Sequence, residues 1–166
     1  MRHAGRLVAV LVLERETFGN ADRFVGGVGL EAALDARAAE PVTHARIDLY
    51  RSVTDVNHDL TFTRTVVSDK TLLTERGVRG NDRSAYTFYP EQQAVELVEA
   101  WVDQPDGSRV AVAASSVFTR PSRSADSAPG FVSSLTTTVV FPQLRPGSRT
   151  HVVWRFTQKT PALLGF

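Results

Sequence analysis

Apolar and polar side chains alternate along most of the chain after position 41, and this alternation predicts a series of β-strands. In the first strand, Ala45, Ile47 and Leu49 are expected on one face, with polar residues between them on the other. Residues 55–57 are expected to turn the chain into a second strand of the same kind, which begins at Leu60. Such a hairpin has one face in a core and one face in water.

The later strands are separated by residue types that favour turns. Residues 104–108 contain Pro, Asp and Gly in succession, which predicts a hairpin turn with Gly107 in a left-handed conformation. Residues 75–84 and 119–130 are polar and interrupted by Gly or Pro, so both are predicted to be loops. The strands themselves are expected at 85–89, 94–103, 110–118, 132–141 and 148–157. The fold class is therefore predicted to be all-β, an antiparallel β-sandwich of about seven to nine strands.

The first part of the chain has a different character. Residues 7–13 form an apolar run after a basic stretch, which is compatible with a degraded export signal, with a linker or with a buried strand. Residues 30–39 favour one short helix, which Pro41 would end. We therefore divide the chain into an N-terminal segment, residues 1–41, and a β-sandwich domain, residues 42–166.

The alternation also predicts which side chains form the core. These are apolar residues at alternate positions of the expected strands, namely Ile47, Leu49, Leu60, Phe62, Val98, Ala100, Val102, Val139, Phe141, Val152, Trp154 and Phe156. Trp101 shares the opposite face of its strand with Glu99 and Asp103, which makes these three residues the candidate interaction surface. The alternative is that a second sheet or the N-terminal segment covers Trp101.

Composition narrows the possible classes of function. The 166 residues are enough to bury the core of one domain. A net charge of +1, from 19 basic and 18 acidic residues, provides no basic surface for nucleic acid, which is therefore not an expected partner. Because cysteine is absent, the chain offers no disulfide, no thiolate metal ligand and no thiol nucleophile. The apolar run at residues 7–13 is far shorter than the roughly 20 residues that a membrane helix needs, so no membrane span is expected.

Two segments carry patterns associated with ligand binding. Residues 27–32 match the G-x-G-x-x-A pattern of dinucleotide-binding loops, but the repeated βαβ context that this motif requires does not follow. The segment from Asp55 to Asp59 contains oxygen and imidazole groups that could bind a cation, although such residues are also common in turns. We therefore predict no catalytic, cofactor-binding or metal-binding residues. A small enzyme or ligand-binding protein that uses the Gly-rich N-terminus or the Asp55 to Asp59 cluster is the alternative.

The order of the turn motifs resembles that of a known family. Ala100 begins an A-x-x-x-x-P-D-G stretch, and Phe141 begins an F-P-x-L-x-x-G-S stretch. An aromatic strand that ends at Tyr89 precedes both. In this order and spacing, roughly residues 44–160 resemble the bacterial domain of unknown function that lies N-terminal to transglutaminase-like, papain-fold domains.

The resemblance implies an accessory or binding module rather than an enzyme. Its expected partner is a transglutaminase-like, papain-fold domain or the peptide or glycan substrate of that domain. The resemblance also implies a periplasmic or otherwise extracytoplasmic location, with a cytoplasmic location as the alternative. Since the matching residues form turns and core, it transfers no catalytic residue, and we expect the isolated chain to have no enzymatic activity and no cofactor.

Overall fold

A computed structural model of the protein describes residues 7–13, 42–122 and 133–161. Within these ranges the chain forms two antiparallel β-sheets and one short α-helix. The elements are β1 (Leu7–Leu13), β2 (Ala45–Val56), β3 (Phe62–Leu72), α1 (Glu75–Gly80), β4 (Arg83–Phe88), β5 (Gln93–Asp103), β6 (Arg109–Ala111), a 3-10 turn (Ala114–Ser116), β7 (Val117–Pro121), β8 (Leu135–Val140) and β9 (Arg149–Gln158). The predicted all-β antiparallel architecture is confirmed. No helix among the described residues is both long and apolar enough to cross a membrane.

The two sheets differ in size. The large sheet has six strands in the order β1-β2-β3-β9-β5-β6, and the small sheet has three in the order β4-β8-β7. Strand β9 lies between β3 and β5, so that Trp154 is opposite Val66 on one side and Leu97 on the other. The small sheet packs on the face of the large sheet that carries Trp154. We call this the inner face and the opposite one the outer face.

The core lies between the small sheet and the central strands of the large sheet. Its buried cluster consists of Val102, Val139, Phe141, Val152 and Trp154, all five of which the alternation predicts. Ala100 and Phe156, also predicted, are partly buried against this cluster. Within the cluster, Trp154 is 1% exposed, and the edge of its ring meets Tyr86 at a centroid distance of 5.3 Å. The indole Nε1 donates a hydrogen bond of 3.1 Å to Ser84 Oγ, which joins the two sheets.

A β-bulge in β2 changes the face on which its side chains lie. Ile47 is opposite Lys70 and Leu49 is opposite Asp69, so Asp48 is the extra residue between them. Ile47 and Leu49 consequently lie on opposite faces of the sheet, and the prediction that they share a core face is wrong. Both are only partly buried.

A second bulge occurs in β5. Leu97 is opposite Trp154 and Glu99 is opposite Val153, which leaves Val98 without a cross-strand partner. The side chain of Val98 is 41% exposed, so its predicted place in the core is wrong. Before the bulge the odd-numbered residues face inward, and after it the even-numbered residues do. A continuous alternation cannot describe this strand.

The first hairpin turn lies later than predicted. Strand β2 continues to Val56, and the turn is closed by a hydrogen bond of 2.8 Å from the Asn57 amide to the Thr61 carbonyl. Leu60 lies in this turn with φ 63° and is 50% exposed, so it is not a core residue as predicted. In the Pro-Asp-Gly turn, by contrast, Gly107 has φ 83°, which confirms its predicted left-handed conformation.

Several predicted strands and loops have different boundaries in the structure. The expected strand at residues 110–118 is in fact two strands, β6 and β7, which belong to different sheets. The predicted loop at residues 75–84 contains helix α1 and the start of β4. The predicted loop at 119–130 begins with the end of β7, and its remainder lies outside the described residues. The helix expected at 30–39 and the Gly-rich pattern at 27–32 also lie outside the described residues.

Helix α1 is held by a local cap and by close contact with the backbone before β2. The Thr74 hydroxyl accepts a hydrogen bond of 3.1 Å from the Gly77 amide, and His44 Nδ1 lies 2.9 Å from the same hydroxyl. A Cβ atom at Gly77 would lie 1.9 Å from the His44 carbonyl oxygen, whereas one at Gly80 would meet nothing within 4 Å. The helix can therefore dock here only because position 77 has no side chain.

We predict opposite effects for two alanine substitutions in α1. Gly77→Ala forces the helix away from His44 and should lower the free energy of unfolding by about 1–3 kcal/mol. Gly80→Ala is the matched control, because it reduces backbone entropy in the unfolded chain without a clash and should be neutral or stabilising by up to about 1 kcal/mol. Urea denaturation of both variants measures the difference. Equal effects at the two positions would contradict this account of the helix contact.

We predict that Trp154→Ala costs about 3–5 kcal/mol of unfolding free energy, because the substitution leaves a cavity between the two sheets. Val98→Ala should change it by no more than about 0.5 kcal/mol, since the bulge leaves that side chain in solvent. Chemical denaturation of the two variants distinguishes the observed strand, which has a bulge at Val98, from one in which the alternation continues without a bulge. A cost at Val98 close to that at Trp154 would show that the bulge is misplaced.

Candidate functional site

The predicted interaction surface lies on the outer face of the large sheet. Glu99, Trp101 and Asp103 project from β5 on the side away from the small sheet. Trp101 is opposite His151 of β9, and His151 is in turn opposite Asp69 of β3. Arg109 of β6 completes a line of contacting side chains across four strands. We call Asp69, His151, Trp101 and Arg109 the outer-face row.

Trp101 is stacked between two side chains of this row. Its ring and that of His151 are nearly parallel, with an interplanar angle of 13° and a centroid distance of 3.8 Å. The Arg109 guanidinium carbon lies 4.3 Å from the indole centroid. Because β9 and β6 flank β5 on opposite sides, His151 and Arg109 cover opposite faces of the indole. Neither face is free to stack on a sugar ring, and a partner would meet the indole edge.

Asp69 anchors the other end of the row. It is 6% exposed, forms an ion pair with Arg149, and its Oδ1 lies 2.5 Å from His151 Nδ1. This pairing favours the histidine tautomer with a proton on Nδ1. His151 Nε2 is buried without a hydrogen-bond partner among the described residues, and the nearest acidic group is Glu99, whose Oε1 lies 3.6 Å away.

The Asp69–His151 pair has part of the geometry of a catalytic acid–base pair. In such sites a carboxylate orients a histidine whose second nitrogen takes a proton from a nucleophilic hydroxyl or thiol. Here the second nitrogen of His151 faces the carboxylate of Glu99, and the ring is covered by Trp101. The arrangement orients the histidine and holds the row together, and no hydroxyl among the described residues forms a hydrogen bond with Nε2.

Two carboxyl groups beside the row, those of Asp103 and Asp48, form charge pairs that favour their ionised form. Arg109 Nε lies 2.6 Å from Asp103 Oδ1, and this hydrogen bond lowers the pKa of the Asp103 carboxyl below its ordinary value. Partial burial opposes ionisation of Asp48, but hydrogen bonds from Thr71 and Arg46 outweigh it and lower the pKa of that carboxyl. The outer face therefore carries fixed charges of both signs at neutral pH.

The bulge places an apolar side chain beside this charged face. Val98 is exposed next to Glu99, whose side chain is 52% exposed. Glu96, which precedes Val98 in β5, pairs with Arg155 of β9 at 3.1 Å. An exposed valine beside charged side chains combines the apolar and polar groups that protein contact surfaces use.

In the Asp55 to Asp59 cluster, the alternative site, Asn57 and Asp59 form hydrogen bonds within the turn. Asp59 Oδ1 accepts hydrogen bonds from the Thr61 amide, at 3.1 Å, and from its hydroxyl, at 2.7 Å. The Asn57 side-chain amide donates to the same hydroxyl at 2.9 Å. Among the residues that the structure describes, no group of three or more His, Asp or Glu side chains is arranged to hold a metal ion.

The sequence pattern does not single out Asp69, His151 or Arg109 as site residues. The alternation along β9 places His151 on the face opposite Trp154, which is a usable signal for the outer face. Its partner Asp69 is 82 residues away in the chain, and no local pattern connects the two. Strand order alone brings them together.

Comparison with known proteins agrees with the fold. The family described as "Domain of Unknown Function with solved-structure structure (DUF3857)" matches residues 58–165. A crystal structure described as that of "a putative protease" from Parabacteroides distasonis ATCC 8503 superimposes with a TM-score of 0.58 and 19% sequence identity. The match covers 62% of this chain but 21% of that protein, so the shared domain is about a fifth of the longer chain. No curated protein sequence matches the chain.

We predict that Arg109→Gln raises the pKa of the Asp103 carboxyl toward its ordinary value of 3.8. The pKa of Asp103 is lower in the folded protein than in the unfolded chain, so the ionised carboxylate stabilises the fold at pH values above its unfolded-state pKa. This contribution is lost as the pH falls through the lowered, folded-state pKa. The stability advantage of the wild type over the variant should therefore shrink on acidification. Carboxyl carbon NMR titration measures the pKa directly. Arg155→Gln, which removes a guanidinium elsewhere on the outer face, is the control and should leave the Asp103 titration unchanged.

Proposed function

The chain belongs to the DUF3857 family of domains of unknown function, and we propose that it is a non-catalytic accessory module that binds a peptidase-like or transglutaminase-like domain. The observation that carries this proposal is the difference in coverage in the structural comparison, 62% of this chain against 21% of the other protein. A domain of this fold occupies 21% of a protein described as a protease, and the rest of that protein is available for other functions. A fold alone does not specify an activity, so support for a binding role comes from the surface of this chain.

The outer-face row supports a binding role over a catalytic one. The Asp69–His151 pair has its free nitrogen buried against Glu99 rather than facing a hydroxyl or an open cleft. Trp101 covers one face of the imidazole ring. These contacts stabilise a fixed arrangement of charges, which suits recognition of a complementary surface.

A protein partner fits this surface better than a glycan. Sugar-binding tryptophans offer an open ring face, whereas both faces of Trp101 are covered. Val98 and the exposed charges of Glu99 and Arg109 are suited to the centre and rim of a protein contact. We propose that the partner is a papain-fold domain of the transglutaminase-like kind, and that both act outside the cytoplasm, as the family resemblance implies.

The first test addresses catalysis by the isolated chain. We expect neither cleavage of fluorescent casein nor incorporation of an amine probe into casein above the rate of a buffer control. The His151→Gln variant provides the internal comparison, because it removes a histidine that is oriented by a buried carboxylate. Turnover by the wild type that disappears in His151→Gln would show that the row is an active site and overturn the accessory role.

The second test addresses binding through the outer face. The probe is the part of the Parabacteroides distasonis protein outside the matched region, produced separately and checked for folding by circular dichroism. We expect saturable binding by biolayer interferometry, weakened roughly tenfold or more by Val98→Glu. Thr87→Glu, on the exposed face of the small sheet, is the matched control and should bind like the wild type. Equal binding by both variants would exclude the outer face, and no binding by the wild type would exclude this partner.

A further inference from the structure

Strand β4 is an edge of the small sheet, and the side of it that faces away from β8 has no strand partner among the described residues. The Phe141 amide donates a hydrogen bond of 2.9 Å to the Asp82 carbonyl, which fixes the pairing pattern of β4 and β8. Bonded and non-bonded residues alternate in an antiparallel pair, so the backbone N–H and C=O groups of Arg83, Ala85 and Thr87 point to the free side. Strand β4 therefore offers a row of unpaired backbone groups to a further strand.

This edge lacks the features that commonly protect an exposed strand from pairing. At the opposite edge of the small sheet, β7 ends at Pro121, and the edge strand β6 of the large sheet has three residues. Strand β4 contains no proline, and its one charged residue, Arg83, is already paired with Asp82 at 2.8 Å. Edges of this kind bind extended peptides as an added strand in many proteins.

The free edge of β4 overhangs the inner face of the large sheet. The Tyr86 ring contacts that of Trp154 in β9, and Lys70 of β3 donates a hydrogen bond of 2.7 Å to Asn81, just before β4. Strand β4 thus lies over β9 and β3, while β8 packs toward β5 through the buried cluster. Its free edge therefore faces the side on which β2 and β1 lie, and an added strand would cover the inner face of β2.

The surface beneath this edge is positively charged. Arg64 projects from the inner face of β3, with its guanidinium carbon 4.7 Å from the centroid of the Phe156 ring. Among the described residues, no carboxylate forms an ion pair with Arg64 or with Lys70. Burial raises the pKa of the Tyr86 hydroxyl, and the charge of the nearby Arg64 partly opposes that shift. A carboxylate that entered from the free edge would meet Arg64 and this hydroxyl.

A peptide fits this edge better than a second copy of the chain. Antiparallel pairing of two β4 strands requires a two-fold axis perpendicular to the sheets. The large sheets of both copies would then lie in the same layer, where β2 and β1 of each extend beyond β4 and would collide. We propose that the free edge of β4 docks an extended acidic peptide of another protein, as an antiparallel fourth strand of the small sheet with a carboxylate facing Arg64.

The probe is a synthetic seven-residue peptide with fluorescein at its amino end, in which threonine alternates with valine, glutamate and valine. With the glutamate and valines facing inward, the threonine N–H groups point to β4 and the others to solvent. We expect saturable binding to the full chain by fluorescence anisotropy, with a dissociation constant on the order of 100 μM. N-methylation of the two threonines beside the glutamate should weaken binding roughly tenfold or more, whereas N-methylation of the two valines should change it by less than about twofold.

The charge of the peptide and that of Arg64 are tested together. Replacing the peptide glutamate by glutamine should weaken binding to the wild type about two- to fivefold, as expected for an exposed ion pair. The two peptides should bind equally to Arg64→Gln. Arg51→Gln removes a guanidinium from the outer face of β2 and is the matched control, which should still distinguish the peptides.

The backbone contact is tested on the protein by Ala85→Pro, which removes an N–H on the free side, where an edge strand tolerates proline. This variant should lose binding, and Ala85→Thr, which keeps the N–H, should retain it. In the wild type, the peptide should slow amide hydrogen exchange at Ala85 and Thr87 and leave it unchanged at Thr119, on the free side of β7. If Ala85→Pro does not fold, the N-methylated peptides and the exchange rates still decide the question.

Any of five results would overturn the proposal. These are no saturable binding up to about 1 mM peptide, equal weakening by the two patterns of N-methylation, equal binding of the glutamate and glutamine peptides by the wild type, unchanged binding by a folded Ala85→Pro protein, and a wild-type dimer in ultracentrifugation that Ala85→Pro converts to a monomer. The last result would assign the edge to a second copy. The inference is independent of the proposed function, because β4 lies in the small sheet, and the peptide is expected to bind Val98→Glu as it binds the wild type.

Discussion

The placement of β9 between β3 and β5 is the constraint on which both faces of the large sheet depend. Side chains alternate along this strand, so Val152 and Trp154 enter the core while His151 lies on the outer face. A shift of one residue in the register would expose Trp154 and bury His151. Hydrogen bonding on both edges fixes that register, and the hydrogen bond from Trp154 to Ser84 fixes the small sheet above it.

Much of the fold could be predicted from the alternation of side chains, and its failures have local physical causes. The alternation identified the centre of the core around Trp154, and the Pro-Asp-Gly residues identified the left-handed turn at Gly107. The alternation failed at Asp48 and Val98, because a β-bulge inserts one residue without any distinctive residue type. The composition of residues 75–84 predicted a loop over α1, since its glycines disfavour helix, but contact with the His44 carbonyl requires Gly77 there.

The candidate site was predictable only along a single strand. Glu99, Trp101 and Asp103 were placed on one face by alternation, and they do lie together on the outer face. The residues that determine what Trp101 can contact, His151 and Arg109, come from neighbouring strands whose order the sequence did not reveal.

The position of β9 also has a consequence for the order of events during synthesis. Both of its neighbours in the sheet precede it in the chain, and the contact between Asp69 and His151 spans 82 residues. Local hairpins such as β2–β3 and β5–β6 can pair early, because little loop entropy opposes them. Strands β3 and β5 lack their common neighbour until β9 has emerged from the ribosome. One edge of each strand is therefore unpaired and exposed in the meantime. The nascent chain is thus most vulnerable to aggregation just before the strand that completes its central sheet becomes available.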